Sequence, residues 1–359
     1  MTVKDILAAV DAIAPFRLTM DFDNTGLLVG DPDAPVQSVL LALDCTDPVI
    51  EEAKRQNANL IISHHPVIFK GIKRVTADSV VWKAIRSDIS VISAHTNLDI
   101  AQGGVNDCLA QKIGLSQLRG LTVTNSEAFD KVIAFVPESH AAAVHQAMTA
   151  AGAGTIENYA GCAFFTHGEG SFLPLEGADP YLGTVGEVEK AKEVRIEMIC
   201  PKAKTKAVVA AMKAAHPYEV PAYDIFEDRG IVSEESLGRV GELCEPLSAK
   251  ELAQQVKDAL GDTAIRYTEG KQPIQAVAVC GGAGDSELES AIRCGAQALV
   301  TGEAAHHIFI EAAHRGITLI EAGHFHTEAV VLDSLCQRLM EKFPEIKFTV
   351  WHNSLVNCL

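Results

Sequence analysis

The sequence predicts an α/β protein: a split three-layer α/β domain with a polar site at the carboxyl ends of its strands, plus an inserted ferredoxin-like α+β domain. Three observations predict it. Short apolar runs alternate with amphipathic helical stretches in the first third of the chain and again in the last third, the pattern of a parallel sheet with helices on its faces. Between them the pattern changes to two strand–helix halves around a central hairpin, the order of a ferredoxin-like module. Finally, histidines and carboxylates gather just past the strands, where open parallel sheets place their ligands. The expected boundaries are 1–127 and 228–359 for the discontinuous two-lobed domain, and 128–227 for the domain set into it.

The elements follow in order. A helix over 5–13 precedes a loop over 17–30, whose polar turn is Asp23-Asn24 and which ends in a short strand. The apolar run 38–43 reads as a strand ending at Asp44. Asp47-Pro48 starts a helix to about Gln56, with proline in the first turn and Asp47 as its N-cap. Leu60-Ile61-Ile62 is a buried strand, stopped by Pro66, that delivers Ser63-His64-His65. A helix over 79–87 leads to the strand 89–94, which delivers His95-Thr96-Asn97-Leu98-Asp99. Gly103-Gly104 opens a helix to about Ile113.

In the middle, 130–136 is a strand and 139–151 an alanine-rich helix. A glycine-rich run over 152–186 includes a strand near 161–165. The alternation over 194–200 marks a half-buried strand, followed by a helix over 202–215 and a strand over 221–226. The first pattern then resumes: a helix over 248–260, a strand over 274–279, the turn Cys280-Gly281-Gly282-Ala283-Gly284, and a helix over 287–294. The strand Ala298-Leu299-Val300 ends in Thr301-Gly302-Glu303, and a helix runs to Arg315. The strand 317–322 ends at Gly323-His324-Phe325-His326-Thr327-Glu328. A long helix to about Lys342 carries the apolar stripe Val331, Leu335 and Leu339, and the strand 348–351 closes the chain.

Composition narrows the function classes. The 359 residues suffice for two domains. With 47 acidic against 30 basic residues the net charge is −17, which argues against a broad nucleic-acid or anionic-membrane surface. The amino-terminal segment lacks the features of a signal peptide, and no apolar run is long enough to span a bilayer. Nine single cysteines without any Cys-x-x-Cys read as reduced, mostly buried thiols of a cytoplasmic protein, not as zinc-finger ligands.

The chemistry concentrates in three clusters at strand ends: His64-His65, His95 through Asp99, and His324 through Glu328. A strand-end histidine pair can simply hydrogen-bond to backbone. Neutral imidazole is also the commonest protein metal ligand, and His64 and His65 could give one ring to each of two ions. His324 and Glu328, four apart at a helix start, share a face. The set His64, His65, Asp99, His324 and Glu328 mixes imidazole and carboxylate, which suits zinc, iron(II), manganese or cobalt better than calcium. Five ligands leave two ions open positions, so a carboxylate must bridge, and an open site favours catalysis over structure. His95 is the candidate general acid or base. His326 and His307 are weaker candidates to assist. The glycine turn 281–284 precedes a helix, where amides can cradle phosphate, but a tight turn explains it as well. Lys70, Lys73 and Arg74 are either a solvated charge run or contacts to an anionic substrate. His216, in the middle domain, reads as a helix-end cap.

Taken together and in order, Asp23-Asn24-Thr25-Gly26-Leu27-Leu28-Val29-Gly30, Ser63-His64-His65-Pro66, Ala94-His95-Thr96-Asn97-Leu98-Asp99, Thr301-Gly302-Glu303 with His307, and Gly323-His324 through Glu328 resemble the GTP cyclohydrolase 1 type 2 homologue family, or NIF-three-like dinuclear metal centre hexameric proteins. The resemblance spans essentially the whole chain. Glu157-Asn158-Tyr159, Gly183-Thr184-Val185-Gly186 and Ala215-His216-Pro217-Tyr218-Glu219 resemble the inserted domain of longer bacterial members. Phe22 stands where the family usually has Trp, and Ala283 where Ser is common. The resemblance implies two divalent metal ions on His64, His65, Asp99, His324 and Glu328. It also implies a toroidal homohexamer with its metal sites facing an internal cavity, and hydrolytic opening of the imidazole ring of GTP. A metal-acidified water would attack the ring carbon and a histidine would protonate the departing nitrogen. The alternative is a metal-binding regulatory or assembly protein whose inserted domain, similar to small trimeric regulatory modules, senses a ligand or partner.

Overall fold

The computed structural model describes residues 1–156, 159–261 and 264–356, without the side chains of 125–127 and 231–233; Glu157, Asn158 and Cys358 of the sequence reading lie outside it. The chain divides into two compact units, Met1–Asn125 with Glu235–Leu359, and Ser126–Glu234.

The first unit begins with α1 (Val3–Ile13), β1 (Gly26–Val29), β2 (Ser38–Ala42), α2 (Asp47–Arg55), β3 (Leu60–Ser63), α3 (Val80–Arg86), β4 (Ser90–Ser93), α4 (Thr96–Ile100) and α5 (Val105–Lys112), and runs out along β5 (Ser116–Pro137). The second unit holds α6 (Ala141–Ala150), β6 (Phe164–Phe172), β7 (Glu189–Pro201) and α7 (Thr205–Ala215), and leaves along β8 (Tyr223–Leu247). The chain then returns through α8 (Ala249–Leu260), β9 (Arg266–Tyr267), β10 (Ile274–Cys280), α9 (Leu288–Arg293), β11 (Ala298–Thr301), α10 (His306–Arg315), β12 (Thr318–Glu321), α11 (His324–Glu328), α12 (Val330–Lys342) and β13 (Lys347–Trp351).

Two sheets build the first unit. One has the order β1-β4-β3-β2-β13, parallel except for β1. Every residue of β2, β3 and β4 is buried, as expected of strands covered on both faces. On one side Leu41, Ile62 and Ile92 pack with Ile6 of α1 and Leu335 of α12; on the other Leu40, Ile61 and Val91 pack with Ile50 of α2 and Ala84 of α3. The second sheet places β10, β11 and β12 parallel between antiparallel β8 and β9. Its faces are covered by Leu252 and Val256 of α8 and by Leu288 of α9 and Ala312 of α10.

In the second unit the strand order is β6-β7-β5-β8, antiparallel where β7 meets β5 and β6. With α6 and α7 this is a strand–helix–strand–strand–helix–strand order, and Val144, Met148, Val208 and Met212 of the helices pack on Val132, Val194 and Ile196 of the strands.

Several local expectations need correction. The strands expected at 130–136 and 221–226 are longer, as β5 and β8, and run on without a turn through the expected junctions at 127/128 and 227/228, near the division at Asn125 and Glu234. Thr46, not Asp47, occupies the N-cap of α2; the Asp47 carboxylate instead accepts from Lys83 Nζ (2.5 Å). Residues 96–100, read as a strand end, form the short helix α4, and the long helix after β12 breaks at Ala329 into α11 and α12. Among the described cysteines all are free, and Cys244 is exposed. Among the described residues no helix is long and apolar enough to cross a membrane.

Candidate metal centre

Both sheets of the first unit turn the carboxyl ends of parallel strands toward one pocket. β3 delivers His64 and His65, β4 delivers His95 and, through α4, Asp99; β12 delivers His324 and Glu328 on α11. Ligand atoms of three groups lie within 4.8 Å of one another: His64, Asp99 and Glu328; His65, His324 and Glu328; and His64, His65 and His95. All five residues read as candidate ligands therefore converge, with His95 beside them. His307 and His326 join none of these groups.

The rings are oriented from behind. His64 Nδ1 donates to the Ala94 carbonyl (2.9 Å), His65 Nδ1 to Asp44 Oδ1 (2.7 Å) and His95 Nδ1 to Asp23 Oδ1 (2.9 Å), while His324 Nδ1 stands 3.3 Å from Glu303 Oε1. The Ala94, Asp44 and Asp23 oxygens each fix a proton on Nδ1 and leave an Nε2 lone pair for the pocket, the usual backing of a metal-ligating histidine. Asp44, Glu303 and Asp23 come from three separate loops. Asp23 is itself held by the amide and hydroxyl of Thr96 (3.1 and 2.6 Å). Despite partial burial, these bonds and His95 keep its carboxyl well below the usual range.

Glu328 lies at the centre, 4% exposed. Its Oε2 is 2.9 Å from His65 Nε2 and 3.0 Å from His324 Nε2, while Oε1 faces His64 Nε2 at 3.7 Å. His64 Nε2 is also 3.6 Å from Asp99 Oδ1. The two oxygens of one carboxylate thus address two donor sets. Burial opposes the charge on Glu328, but His64, His324 and His65 outweigh it and hold the carboxyl well below its ordinary value. Asp99 moves the other way, to about 6, because burial and the Glu328 charge overcome the attraction of His64. His65 rises to about 10: burial lowers it, and Asp44 and Glu328 more than compensate.

This donor set fits divalent cations. His64 Nε2 and Asp99 Oδ1 are buried and have no hydrogen-bond partner among the described residues, an arrangement that costs several kcal/mol, on the order of 1–3 per group, unless something satisfies them. The mixture of imidazole and carboxylate suits zinc, iron(II) or manganese.

The glycine turn after β10 serves this centre. Gly282 has φ +63°, and a Cβ there would sit 2.0 Å from Glu328 Oε1. Its amides are already engaged: Gly281 donates to Asn106 Oδ1, Gly282 to Thr327 Oγ1 and Gly284 to Thr301 Oγ1. With these three amides spent inside the fold, the tight-turn reading is the one the geometry favours. Asn106, which carried no motif signal, also donates to the Asp99 carbonyl (2.9 Å) and so ties α4 to the turn after β10.

Residues 1–355 match the family described as Duf34/NIF3 (NGG1p interacting factor 3). A Bacillus subtilis protein named GTP cyclohydrolase 1 type 2 homolog is 37% identical over 352 residues, covering 97% of this chain and 94% of its own length. Among solved structures, a Bacillus cereus protein related to NIF3 superposes with a TM-score of 0.84 at 34% identity, covering 100% of this chain and 99% of that one. A Staphylococcus aureus protein, SA1388, gives 0.82 at 30% identity, covering 99% and 97%.

Proposed function

The chain belongs to the Duf34/NIF3 (NGG1p interacting factor 3) family, and from that membership and the pocket around Glu328 we propose a dinuclear metal-dependent hydrolase acting on a nucleotide, with ring-opening hydrolysis of GTP as the first reaction to test. The observation that carries the reading is the Glu328 carboxylate, with one oxygen toward His64 and the other toward His65 and His324. Under it, His64, Asp99 and Glu328 hold one ion, and His65, His324 and Glu328 the other. Such ions supply Lewis acidity and bring water toward ionisation near neutral pH. The chain's own part is to orient and to move protons. Asp23 holds His95 with Nε2 toward the pocket, where the ring can pass a proton to a departing ring nitrogen. The substrate rests on the names of the relatives, not on a pocket contact.

The test is direct. Protein purified without chelator carries two divalent ions per chain by elemental analysis, and Glu328→Ala loses both while keeping its circular dichroism. The wild type then opens GTP or another member of a nucleotide panel, and Glu328→Ala does not. No turnover across the panel by fully loaded protein overturns the hydrolase reading.

A metal-binding regulatory protein is the second reading, favoured by the unit Ser126–Glu234, which has its own core. We read that unit as an inserted module and the assembly as a cytoplasmic homohexamer. Light scattering at six times the chain mass supports the assembly; a monomer rejects it. Removing the module spares turnover under the first reading and abolishes a ligand response under the second.

A further inference from the structure

The unit Ser126–Glu234 contains a cavity of about 540 Å³, within the range of small-molecule sites, ~300–1,000 Å³. It is separate from the metal-centre residues and owes nothing to the hydrolase reading. Phe135, Phe172, Tyr181 and Tyr218 line it, and the last three pack ring against ring. Tyr218 lies 5.7 Å from Phe172 and 6.2 Å from Tyr181, centroid to centroid. Tyr218 is braced by His216 (4.9 Å) and Tyr181 by His140 (5.5 Å). Aliphatic side chains such as Leu175 complete the lining.

The charges at this wall have one sign. Glu193 and Glu219 line the cavity, and among the described residues no Lys, Arg or His does. Tyr218 Oη donates to Glu193 Oε1 (2.9 Å), fixing both the ring and the carboxylate. The second oxygen has been given room: Gly170, diagonally across on β6, is a position where a Cβ would lie 2.2 Å from Glu193 Oε2. Tyr181 and Leu175 remain 49% and 69% exposed, an apolar mouth left open by the described residues.

Ring faces are negative, and a carboxylate beside them adds charge of the same sign, so the site attracts cations and repels anions. We propose that this cavity is a binding site for a small organic cation, an amine or quaternary ammonium on an apolar body, with the charged nitrogen between Tyr181, Tyr218 and Glu193. An anionic metabolite is disfavoured by Glu193 and Glu219. A purely apolar ligand leaves the room beside Glu193 unused.

The test uses the full chain with three probes of similar size: benzyltrimethylammonium, benzyl alcohol and phenylacetate, measured by calorimetry or ligand-observed NMR. The cation binds at least about fivefold tighter than the alcohol, and phenylacetate weakest. Tyr181→Ala, at a half-exposed position that spares the core, and Glu193→Gln each weaken the cation about fivefold or more and leave benzyl alcohol within about twofold. Gly170→Ala, which crowds the carboxylate, weakens the cation alone. Equal binding of cation and alcohol, preference for phenylacetate, absence of binding by the wild type, or cation affinity unchanged in folded Glu193→Gln each overturns the proposal. If Tyr181→Ala fails to fold, Glu193→Gln decides alone.

Discussion

At the scale of single residues, Gly282 is the sharpest case. Its left-handed backbone costs a side chain about 1 kcal/mol, and a methyl group there meets Glu328 Oε1. Gly282→Ala therefore retains the fold but displaces Glu328, and elemental analysis finds less metal per chain than in the wild type. Protons compete for the same atoms. His65, raised to about 10 by Asp44 and Glu328 against burial, holds a proton at neutral pH in the metal-free protein, and an ion must displace it. Apparent metal affinity accordingly rises with pH across neutrality and levels off only above that value. Calorimetry in buffers of different ionisation enthalpy reads the released proton directly; an affinity flat with pH rejects the account. The converging histidines were legible because His64-His65, His95 and His324 each stand at a strand end in the sequence. Asp23, Asp44, Glu303 and Asn106 were not legible as backing groups. They act across the fold, three from loops and Asn106 from α5, and their spacing in the sequence bears no relation to the groups they hold.

At the scale of elements, alternating apolar and polar runs gave the sheets. Continuous buried strands such as 60–63 declare themselves by lacking any polar alternation. What was missed has a common cause. β5 and β8 continue past the expected junctions because no Gly-Pro or Asn-Gly turn interrupts them, and length in an extended strand leaves no periodic mark beyond its alternation. Arg239, in β8, shows how such a strand is anchored. It is 8% exposed, pairs with Asp107 Oδ1 (2.6 Å) and Oδ2 (3.0 Å), and donates to the carbonyls of Ile100 and Ala101 just beyond Asp99. Arg239→Met strands a buried carboxylate and costs about 3–5 kcal/mol in urea unfolding, of which Arg239→Met with Asp107→Leu recovers a large part. His216 gives a pH signature to the second unit. Its Nε2 donates to the Phe135 carbonyl and its Nδ1 accepts from the Tyr218 amide, so the neutral ring is the bonded one, and burial lowers its pKa. The unfolded chain binds the proton more tightly. Stability from this group is thus complete above about pH 6.5 and is lost as the pH falls through the lower folded value. Amide exchange at Tyr218 is faster at about pH 5 than the intrinsic pH dependence allows, and His216→Gln removes the difference.

At the scale of the whole molecule, the acidic balance and the α/β class were readable from composition and pattern, and the metal-centre residues converge because both sheets turn the same strand ends to one pocket. An assembly leaves no mark in such patterns, since a surface that meets another subunit needs no internal period. The division at Asn125 and Glu234 has one more consequence. Thr124 Oγ1 donates to the Glu235 carbonyl (3.0 Å), so the two places where the chain leaves and re-enters the first unit touch each other. A two-residue Asn-Gly hairpin is the closure to test there. The shortened chain should fold, keep its metal and melt in a single transition; aggregation of a well-made junction would count against it. A folded, metal-bearing result means that the candidate metal ligands, all of them in Met1–Asn125 and Glu235–Leu359, need nothing from Ser126–Glu234 in order to converge.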